Sequence, residues 1–249
     1  MGTNDTTKRE ITKESLKDVA GGTGGVGIGS ERDELFIGTG GNDTVYGGGG
    51  HDAVVGGGGS DVIQTGDGHD SIHAGGGQDS VWSGGGDDVV LAGSGDDQVQ
   101  AGAGDDAVLG GSGHDSIWGQ EGNDLLVGGL GADQLQGNEG NDLLDGGVGD
   151  GAADMAWGGA GDDAFIWAPG DGSDMFQGNE GRDTLFLDGV TKDQLMAGLQ
   201  LQGGLTLSVD TQGRGVVLGA DGQPSSFNGT LTIGGETLTF YGVESIRLV

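Results

Sequence analysis

The sequence predicts an all-β protein: a parallel β-roll, which is a right-handed two-sheet solenoid with eighteen residues per coil, followed by a C-terminal β cap. Three observations support this prediction. Aspartate recurs every nine residues from Asp43 to Asp142, and an aliphatic residue follows each of these aspartates two positions later, from Val45 to Leu144. Glycine makes up 63 of the 249 residues. So much glycine is typical of disordered chains, but a strict short period indicates stacked repeats instead.

The charge of the chain is strongly one-sided. Forty Asp and Glu residues stand against nine Lys and Arg, a formal net charge of −31, and no Lys or Arg lies between Arg32 and Arg182. Such a surface repels nucleic acid and anionic membranes, so bound metal ions are expected to neutralise it.

The absence of cysteine excludes disulfides and thiolate metal sites. No stretch of the sequence reads as a transmembrane segment or a Sec signal peptide.

Residues 1–22 lack the repeat and predict a short amphipathic helix. The helix would carry Ile11, Leu16 and Val19 on one aliphatic face and would end at Gly21-Gly22. Together with Thr12 they resemble the double-glycine leaders of bacteriocin-type substrates, although Ser15 replaces the usual acidic residue. The resemblance implies that the peptidase of an ABC exporter would cut after Gly22. The alternative is an N-terminal cap or a disordered tail.

Residues 23–37 are predicted to be a glycine-rich linker that passes into a capping turn. Glu34 and Phe36 lie where the aspartate and the aliphatic residue of a repeat before Gly38 would fall. They indicate a degenerate first repeat, because terminal repeats are usually atypical.

The regular repeats between Gly38 and Asp145 predict how the coils form. Glycine-rich hexads make turns, because glycine tolerates positive φ, and each aliphatic residue is the inward centre of a three-residue strand. Alternate repeats stack into two parallel sheets: sheet 1 begins with the repeat of Asp43, and sheet 2 with the repeat of Asp52. Aspartates of successive coils would lie about 4.8 Å apart. Unneutralised carboxylates repel at that distance, and calcium, which prefers carboxylate and carbonyl oxygens, suits the gap.

The repeat, G-G-x-G-x-D-x-U-x with U aliphatic, resembles that of the RTX (repeats-in-toxin) proteins. The resemblance implies calcium ions between successive turns, each held by two Asp side chains and by turn carbonyl groups. Six aspartates on each side leave five gaps, so roughly ten ions are expected in the regular array. The candidate ligands are Asp43, Asp52, Asp61, Asp70, Asp79, Asp88, Asp97, Asp106, Asp115, Asp124, Asp133, Asp142, Asp154, Asp163, Asp174 and Asp183.

After Asp145 the period slips, and the remaining aspartates fall at uneven spacings. Residues 38–187 as a whole are interpreted as the β-roll, irregular after 145, and the later turns resemble the closing turns of RTX domains. Four aromatic residues are expected to cap the ladder: Trp157, Phe165, Trp167 and Phe176.

Residues 188–249 are predicted to be a C-terminal β cap. Thr191 to Gln194 fits the capping box of a short helix. Strands are expected at Leu205–Val209, Gly215–Leu218, Thr230–Ile233, Glu236–Phe240 and Val243–Val249, with a hairpin turn at Gly234-Gly235. The region also resembles the type I secretion signal of RTX exports, and the two interpretations are compatible.

Enzyme signatures are absent from the sequence. No H-E-x-x-H, G-x-S-x-G or G-x-x-x-x-G-K-[ST] occurs, so the RTX protease and lipase sites and a nucleotide-phosphate loop are not expected. His51, His69 and His114 each precede an aspartate. A solvated turn position is favoured for them over a transition-metal site. The chain is therefore predicted not to be an enzyme.

The outward residues differ between the two sheets. Sheet 1 is polar with periodic aromatic residues such as Trp82 and Trp118. Sheet 2 is mainly apolar outside, and we name as its interaction face Val55, Val89, Leu91, Leu109, Leu125, Val127 and Leu143. Soluble monomers rarely expose so large an apolar patch. Its cover would be the chain's own C-terminal region or N-terminal helix, a second copy in a homo-oligomer or filament, or another partner.

Together these features favour a secreted, extracellular calcium-binding protein with a structural or adhesive role in a bacterial surface layer or biofilm matrix. It would stay unfolded in the low-calcium cytosol, leave through a type I (ABC) exporter and fold on binding calcium outside. One alternative is a non-catalytic accessory module of a secreted lipase, protease or polysaccharide epimerase, although the start at Met1 favours a complete product. Another is a subunit that polymerises through sheet 2 or end to end.

Overall fold

The computed structural model describes residues 16–18, 24–209, 214–218 and 226–249. It is a parallel β-solenoid of about nine turns with 18 residues per turn, so the predicted fold class is confirmed. The leader cleavage site and most of the predicted N-terminal helix lie outside the described residues. At Leu16–Asp18 the chain forms a strand that pairs in parallel with Leu35–Ile37, so the helix prediction is wrong there.

The strands of the roll lie in two stacks that alternate along the chain. They are β1 (Leu16–Asp18), β2 (Val26–Ser30), β3 (Leu35–Ile37), β4 (Thr44–Gly49), β5 (Ala53–Gly58), β6 (Val62–Asp67), β7 (Ser71–Gly76), β8 (Ser80–Gly85), β9 (Val89–Ser94), β10 (Gln98–Ala103), β11 (Ala107–Ser112), β12 (Ser116–Glu121), β13 (Leu125–Leu130), β14 (Gln134–Glu139), β15 (Leu143–Asp145), β16 (Met155–Ala160), β17 (Ala164–Trp167), β18 (Met175–Glu180) and β19 (Asp183–Leu187). Strands β2 to β18 with even numbers form sheet 1, and strands β1 to β19 with odd numbers form sheet 2. Every strand pairs in parallel with the strand one coil away, as predicted from the repeat.

The first coil begins earlier than the sequence predicts. Residues 26–30, predicted to be linker, form β2, which pairs with β4 so that Gly27 lies opposite the buried Val45. Glycine occupies the inward position, while Val26 and Ile28 are 66% and 69% exposed. This inverted pattern hides the strand in the sequence. Phe36 is fully buried in the aliphatic column, as predicted for a degenerate repeat.

Most repeat strands have six residues, longer than the predicted three. The second and fourth residues of each six-residue strand are buried, so the fourth lies beside the aliphatic column. This second buried column holds only small residues in the regular array, including Thr65, Ala74, Ser83, Ala92 and Ala101. At the next position, Gly102 has a φ of +119°, and a side-chain carbon there would collide with the carbonyl group of Gly84 one coil away. Close stacking of the coils therefore favours glycine at this position.

The period slip after Asp145 does not interrupt the stack. The offset between paired residues is 18 where Ser116 faces Gln134, 21 where Gln134 faces Met155, and 20 where Met155 faces Met175. The extra residues extend the turns, and the strands keep their register. Strand pairing within the roll therefore continues to Leu187.

The C-terminal cap closes one end of the roll. It comprises helix α1 (Lys192–Gly198), a 3-10 turn (Gln202–Gly204), and strands β20 (Leu199–Leu201), β21 (Thr206–Val209), β22 (Arg214–Leu218), β23 (Phe227–Ile233) and β24 (Glu236–Leu248). Thr191 caps α1 with the predicted capping box. The predicted hairpin is β23–β24, but its second arm and the predicted final strand are one continuous strand. This strand pairs in parallel with both β18 and β19, so it joins the edges of the two sheets.

Three of the four aromatic residues predicted to cap the ladder are in the core. Phe165 and Phe176 stack with their ring centroids 5.2 Å apart, and Trp167 is fully buried. The prediction is wrong for Trp157, which follows the inward Ala156 on β16 and lies on the outer face of sheet 1. The slipped period concealed this alternation in the sequence.

The described part of the C-terminal region, residues 188–209, 214–218 and 226–249, leaves the sheet 2 interaction face uncovered. Among the described roll strands, the cap strands pair only with β18 and β19, at the end of the roll. Val55, Val89, Leu91, Leu109 and Leu125 are 40–48% exposed, whereas Val127 and Leu143 are half-buried. For the described residues, the prediction of cover by the C-terminal region is therefore wrong, because β24 extends the stack along its axis instead of folding back over its side. Within the described part of the chain, no helix has the length and apolarity that crossing a membrane requires.

Candidate metal centre

The predicted ligands form two ladders, one along each edge of the roll. Each aspartate lies in the turn just before its strand, so one carboxylate stands above the next at every coil. The backbone N–H of each ladder aspartate from Asp43 to Asp163 donates to Oδ1 of the aspartate one coil further on, at 2.7–2.9 Å; examples are Asp43 to Asp61 and Asp52 to Asp70. The ladders continue through the irregular turns, where Asp133 donates to Asp154 and Asp163 donates to Asp183. All sixteen predicted aspartates are buried at this position.

The second carboxylate oxygen of almost every ladder residue is buried and has no hydrogen-bond partner. These Oδ2 atoms belong to Asp52, Asp61, Asp70, Asp79, Asp88, Asp97, Asp106, Asp115, Asp124, Asp133, Asp142, Asp154, Asp163 and Asp183. A buried, unpaired carboxylate oxygen destabilises a fold strongly unless a cation or a proton compensates it. An array of such oxygens fits a row of bound cations. Asp43 differs, because its Oδ2 accepts hydrogen bonds from the backbone N–H and the hydroxyl of Thr39.

Backbone carbonyl oxygens border the same space as the unpaired Oδ2 atoms. A side-chain carbon placed on Gly128 would lie 2.5 Å from both Asp133 Oδ2 and the carbonyl oxygen of Gly146 in the next coil. The described residues contain no group of three or more His, Cys, Asp or Glu side chains arranged to hold a metal ion. A cation at the ladders would therefore combine carboxylate with carbonyl oxygens. Calcium accepts this donor set readily.

Burial also perturbs the acidity of the ladder. Desolvation raises the pKa of Asp97, Asp106 and Asp133 to about 7 from 3.8, although the backbone N–H bond to each carboxylate acts in the opposite direction. Neighbouring ladder carboxylates raise these pKa values further. Without a cation, the folded ladder therefore favours protonated carboxyl groups.

Two glutamates lie at the ends of the sheet 2 ladder, which is formed by the aspartates that precede the strands of sheet 2. At the first coil, the backbone N–H of Glu34 donates to Asp52 Oδ1, and the Glu34 carboxylate accepts from the Ser30 hydroxyl and N–H. At the last coil, Asp183 N–H donates to Glu244 Oε2 at 2.7 Å. The repeat pattern indicated Glu34. Glu244 lies 61 residues beyond Asp183, and no spacing in the sequence could have identified it.

The extended turns bring in further carboxylates that the sequence did not single out. Asp171 is buried, and its two oxygens accept from the N–H groups of Gly149 and Ala168. Asp150 Oδ2 accepts from Gly131 N–H. Both lie outside the nine-residue column, so the repeat gave no signal for them. Their carboxylates tie the longer turns to neighbouring coils.

The histidines lie on the outer side of the turns. His51 and His69 stack in parallel with their ring centroids 5.1 Å apart, and His51 Nδ1 accepts the N–H of His69. His114 Nδ1 accepts the N–H of Ala132. Acidic residues play the same role elsewhere in these rows, accepting a backbone N–H from the next coil: Asp33 and Asp87 in the row of His51 and His69, and Asp96 in the row of His114. The histidines act as turn residues.

Comparison with protein-family models gives a match to the RTX calcium-binding nonapeptide repeat. The matched segments are residues 28–63, 55–90, 84–117, 118–152 and 170–189, and together they cover more than half of the chain. A search of curated proteins returned no match.

Proposed function

The chain belongs to the RTX calcium-binding nonapeptide-repeat family, and from this premise we propose that its two aspartate ladders bind calcium and that this binding drives folding. The main support is the row of buried, unpaired Oδ2 atoms. These oxygens destabilise a metal-free roll, and a divalent cation in each gap removes that penalty. Calcium binds through oxygen ligands of the kind that carboxylates and turn carbonyl groups supply.

The energetic coupling follows from linkage. A ligand that binds only the folded state stabilises it by about 2.7 kcal/mol per site at a hundred times its dissociation constant. The roll contains many such sites, and without calcium the carboxylates within each ladder repel one another. Folding therefore depends steeply on the calcium concentration. We propose roughly ten ions in the regular array and two more per ladder in the irregular turns, because the hydrogen-bond ladder continues there.

The proposed place of action is outside the cell. Proteins with these repeats are typically secreted. An unfolded, calcium-free chain suits passage through a type I exporter, and calcium outside would then fold it. In this proposal the roll is a non-catalytic structural or adhesive component of a bacterial surface layer or biofilm matrix, and the double-glycine leader and the C-terminal cap are candidate export signals.

We propose that the sheet 2 interaction face mediates self-assembly. Its apolar side chains remain exposed in the single chain, and a second copy offers a matching apolar surface. The alternative function, an accessory module of a secreted enzyme, shares the calcium chemistry but needs a catalytic domain as partner.

Circular dichroism during a calcium titration tests the folding proposal. The β signal is expected to appear cooperatively with calcium and to disappear with EDTA, and magnesium at equal concentration is the control cation. Inductively coupled plasma analysis of the dialysed protein would count the bound ions. A β signal that EDTA leaves unchanged would contradict the proposal.

A further inference from the structure

One outward column of side chains runs along sheet 1 from β4 to the cap strand β24 and alternates between aromatic rings and glutamine. Strand register places each member directly opposite the next. In order, the aromatic–glutamine column is Tyr46, Gln64, Trp82, Gln100, Trp118, Gln136, Trp157, Gln177 and Tyr241. Its last member comes from β24, outside the repeats. The C-terminal cap therefore completes a pattern that begins in the first regular repeat.

The rings of this column are accessible. Tyr46, Trp82 and Tyr241 are 46%, 38% and 37% exposed, and Trp118 and Trp157 are half-buried. The roll itself does not require them, because glutamine occupies the same position on the intervening strands. Aromatic rings recur on every second strand, so their spacing is about 9.6 Å, twice the separation of neighbouring strands.

Three strained residues lie in the same part of sheet 1. Gln120, Asn138 and Asn179 have φ values of +86°, +82° and +77°, the only positive φ values of non-glycine residues in the described chain. Equivalent positions on earlier strands of sheet 1, such as Gly84 and Gly102, are glycines. Replacing glycine at positive φ introduces backbone strain, and such strain concentrates at functional sites.

The strained amides hold the glutamines of the column in place. Gln136 Nε2 donates to Asn138 Oδ1 at 2.7 Å, and Gln177 Nε2 donates to Asn179 Oδ1 at 2.6 Å. Gln120 Nε2 donates to Gln100 Oε1 at 3.3 Å. These bonds orient the glutamine amides beside the rings and reduce the entropy that a ligand contact would cost.

A shallow groove lies where the rings and the strained amides meet. Its volume is about 810 Å³, and Trp118, Gln136, Asn138, Trp157 and Asn179 are among the residues that line it. Aromatic side chains combined with a few oriented polar groups are typical of the lining of ligand sites.

The chemistry of the column selects among ligands. The chain has no Lys or Arg between Arg32 and Arg182, and Glu139 and Glu180 also line the groove, so these residues offer no cationic partner to the phosphates of nucleic acid or to anionic polysaccharides. Amide groups pair with hydroxyl and acetamido groups, and flat rings pack against the C–H faces of pyranose sugars. Two sugar units of an extended β-1,4-linked chain have nearly the length of two strand spacings.

We propose that the aromatic–glutamine column binds an uncharged, extended β-1,4-linked polysaccharide of the glucan or N-acetylglucosamine type. The polysaccharide lies along the solenoid axis, and every second sugar unit stacks on one of the successive aromatic rings. The proposal goes beyond the calcium function and requires only a folded roll.

Co-sedimentation of the calcium-loaded full chain with insoluble cellulose and chitin tests the proposal, and calorimetry with cellohexaose and chitohexaose measures the affinity. We expect retention by at least one polymer. Trp118→Ala and Trp157→Ala should each weaken binding at least fivefold, as expected for aromatic hot spots. Asn138→Gly should weaken binding while leaving the fold intact.

Leu91→Ala combined with Leu109→Ala is the matched control, because both residues are 40% exposed on sheet 2. This variant should bind as the unmodified chain does. Circular dichroism in calcium confirms that every variant is folded, so a folding failure is distinguished from a binding failure. The proposal is overturned if neither polymer retains the folded chain. It is also overturned if the tryptophan variants bind as tightly as the unmodified chain. Self-association that Trp118→Ala abolishes would identify a second copy as the occupant and overturn it as well.

Discussion

The backbone N–H of Asp97 donates to Oδ1 of Asp115 at 2.8 Å, while Oδ2 of Asp115 is buried without a hydrogen-bond partner. One oxygen of the carboxylate thus joins two coils, and the other is left to a cation. Burial raises the pKa of Asp115, so the metal-free ladder resists ionisation. The same residue therefore stabilises or destabilises the roll according to what lies beside Oδ2.

Asp115→Asn is expected to have opposite effects with and without calcium. The amide can still accept the Asp97 N–H but carries no charge, so it removes one calcium ligand and also one buried repulsive charge. In saturating calcium we expect a loss of about 2 kcal/mol in the free energy of unfolding, and a higher calcium midpoint. In EDTA the variant should be no less folded than the unmodified chain.

Urea unfolding in calcium and calcium titration by circular dichroism measure both effects. Asp105→Asn is the matched control, because Asp105 lies on an exposed turn and its carboxylate accepts from the backbone and side chain of Asn123. Its calcium midpoint should stay close to that of the unmodified chain. Equal shifts for the two variants would contradict a special role of the ladder.

Without calcium, acidification is expected to favour the folded roll. Burial raises the pKa of Asp52, Asp97 and Asp163 to about 7 from 3.8, so between these values the folded state binds more protons than the unfolded state. The stabilisation is fully present below the unfolded-state pKa and is lost as pH rises through about 7. Circular dichroism in EDTA from pH 8 to pH 5 should show increasing β structure.

With calcium, the pH dependence should reverse, because protons compete with the cation for the same oxygens. The calcium midpoint is expected to rise as pH falls below about 7. A calcium-free chain that loses β structure between pH 7 and pH 5 would show that the ladder carboxylates do not control folding.

Gly102→Ala is expected to destabilise the roll even in saturating calcium. Gly102 has a φ of +119°, and an added carbon would collide with the carbonyl group of Gly84. Strain of this kind costs about 1–3 kcal/mol, measured here as the free energy of unfolding in urea. Gly40→Ala is the control, because no atom lies within 4 Å of an added carbon at Gly40. If the two variants lost equal stability, close stacking of the coils would not be the cause.

The repeat made most of the roll predictable, because position within the nonapeptide determines whether a residue faces inward, outward or toward the next carboxylate. Phe36 and Asp183 could be assigned in this way, although both lie outside the strict column. The prediction for Trp157 failed because inserted residues removed the period that assigns a direction. Strand β2 was missed because its inward residue is Gly27 rather than an aliphatic one.

Contacts made by the C-terminal cap could not be predicted from the repeat. Glu244 accepts the N–H of Asp183, and Tyr241 continues the column of Gln177. Both depend on the parallel pairing of β24 with the last coils, which joins residues about 60 positions apart in sequence. Alternation within β24 predicts a strand but not which edge the strand joins.

The sheet 2 interaction face is expected to cause concentration-dependent self-association of the calcium-loaded chain. Val89, Leu91 and Leu109 are 48%, 40% and 40% exposed and lie on neighbouring strands, so water contacts a continuous apolar surface. Leu91→Ser combined with Leu109→Ser should weaken association at least tenfold in sedimentation velocity, because each loses buried apolar area in the interface. Val62→Ser, at a residue 37% exposed on sheet 1, should leave association unchanged. A chain that stays monomeric at every concentration would exclude a second copy as the cover, and equal effects of the two changes would exclude sheet 2 as the interface.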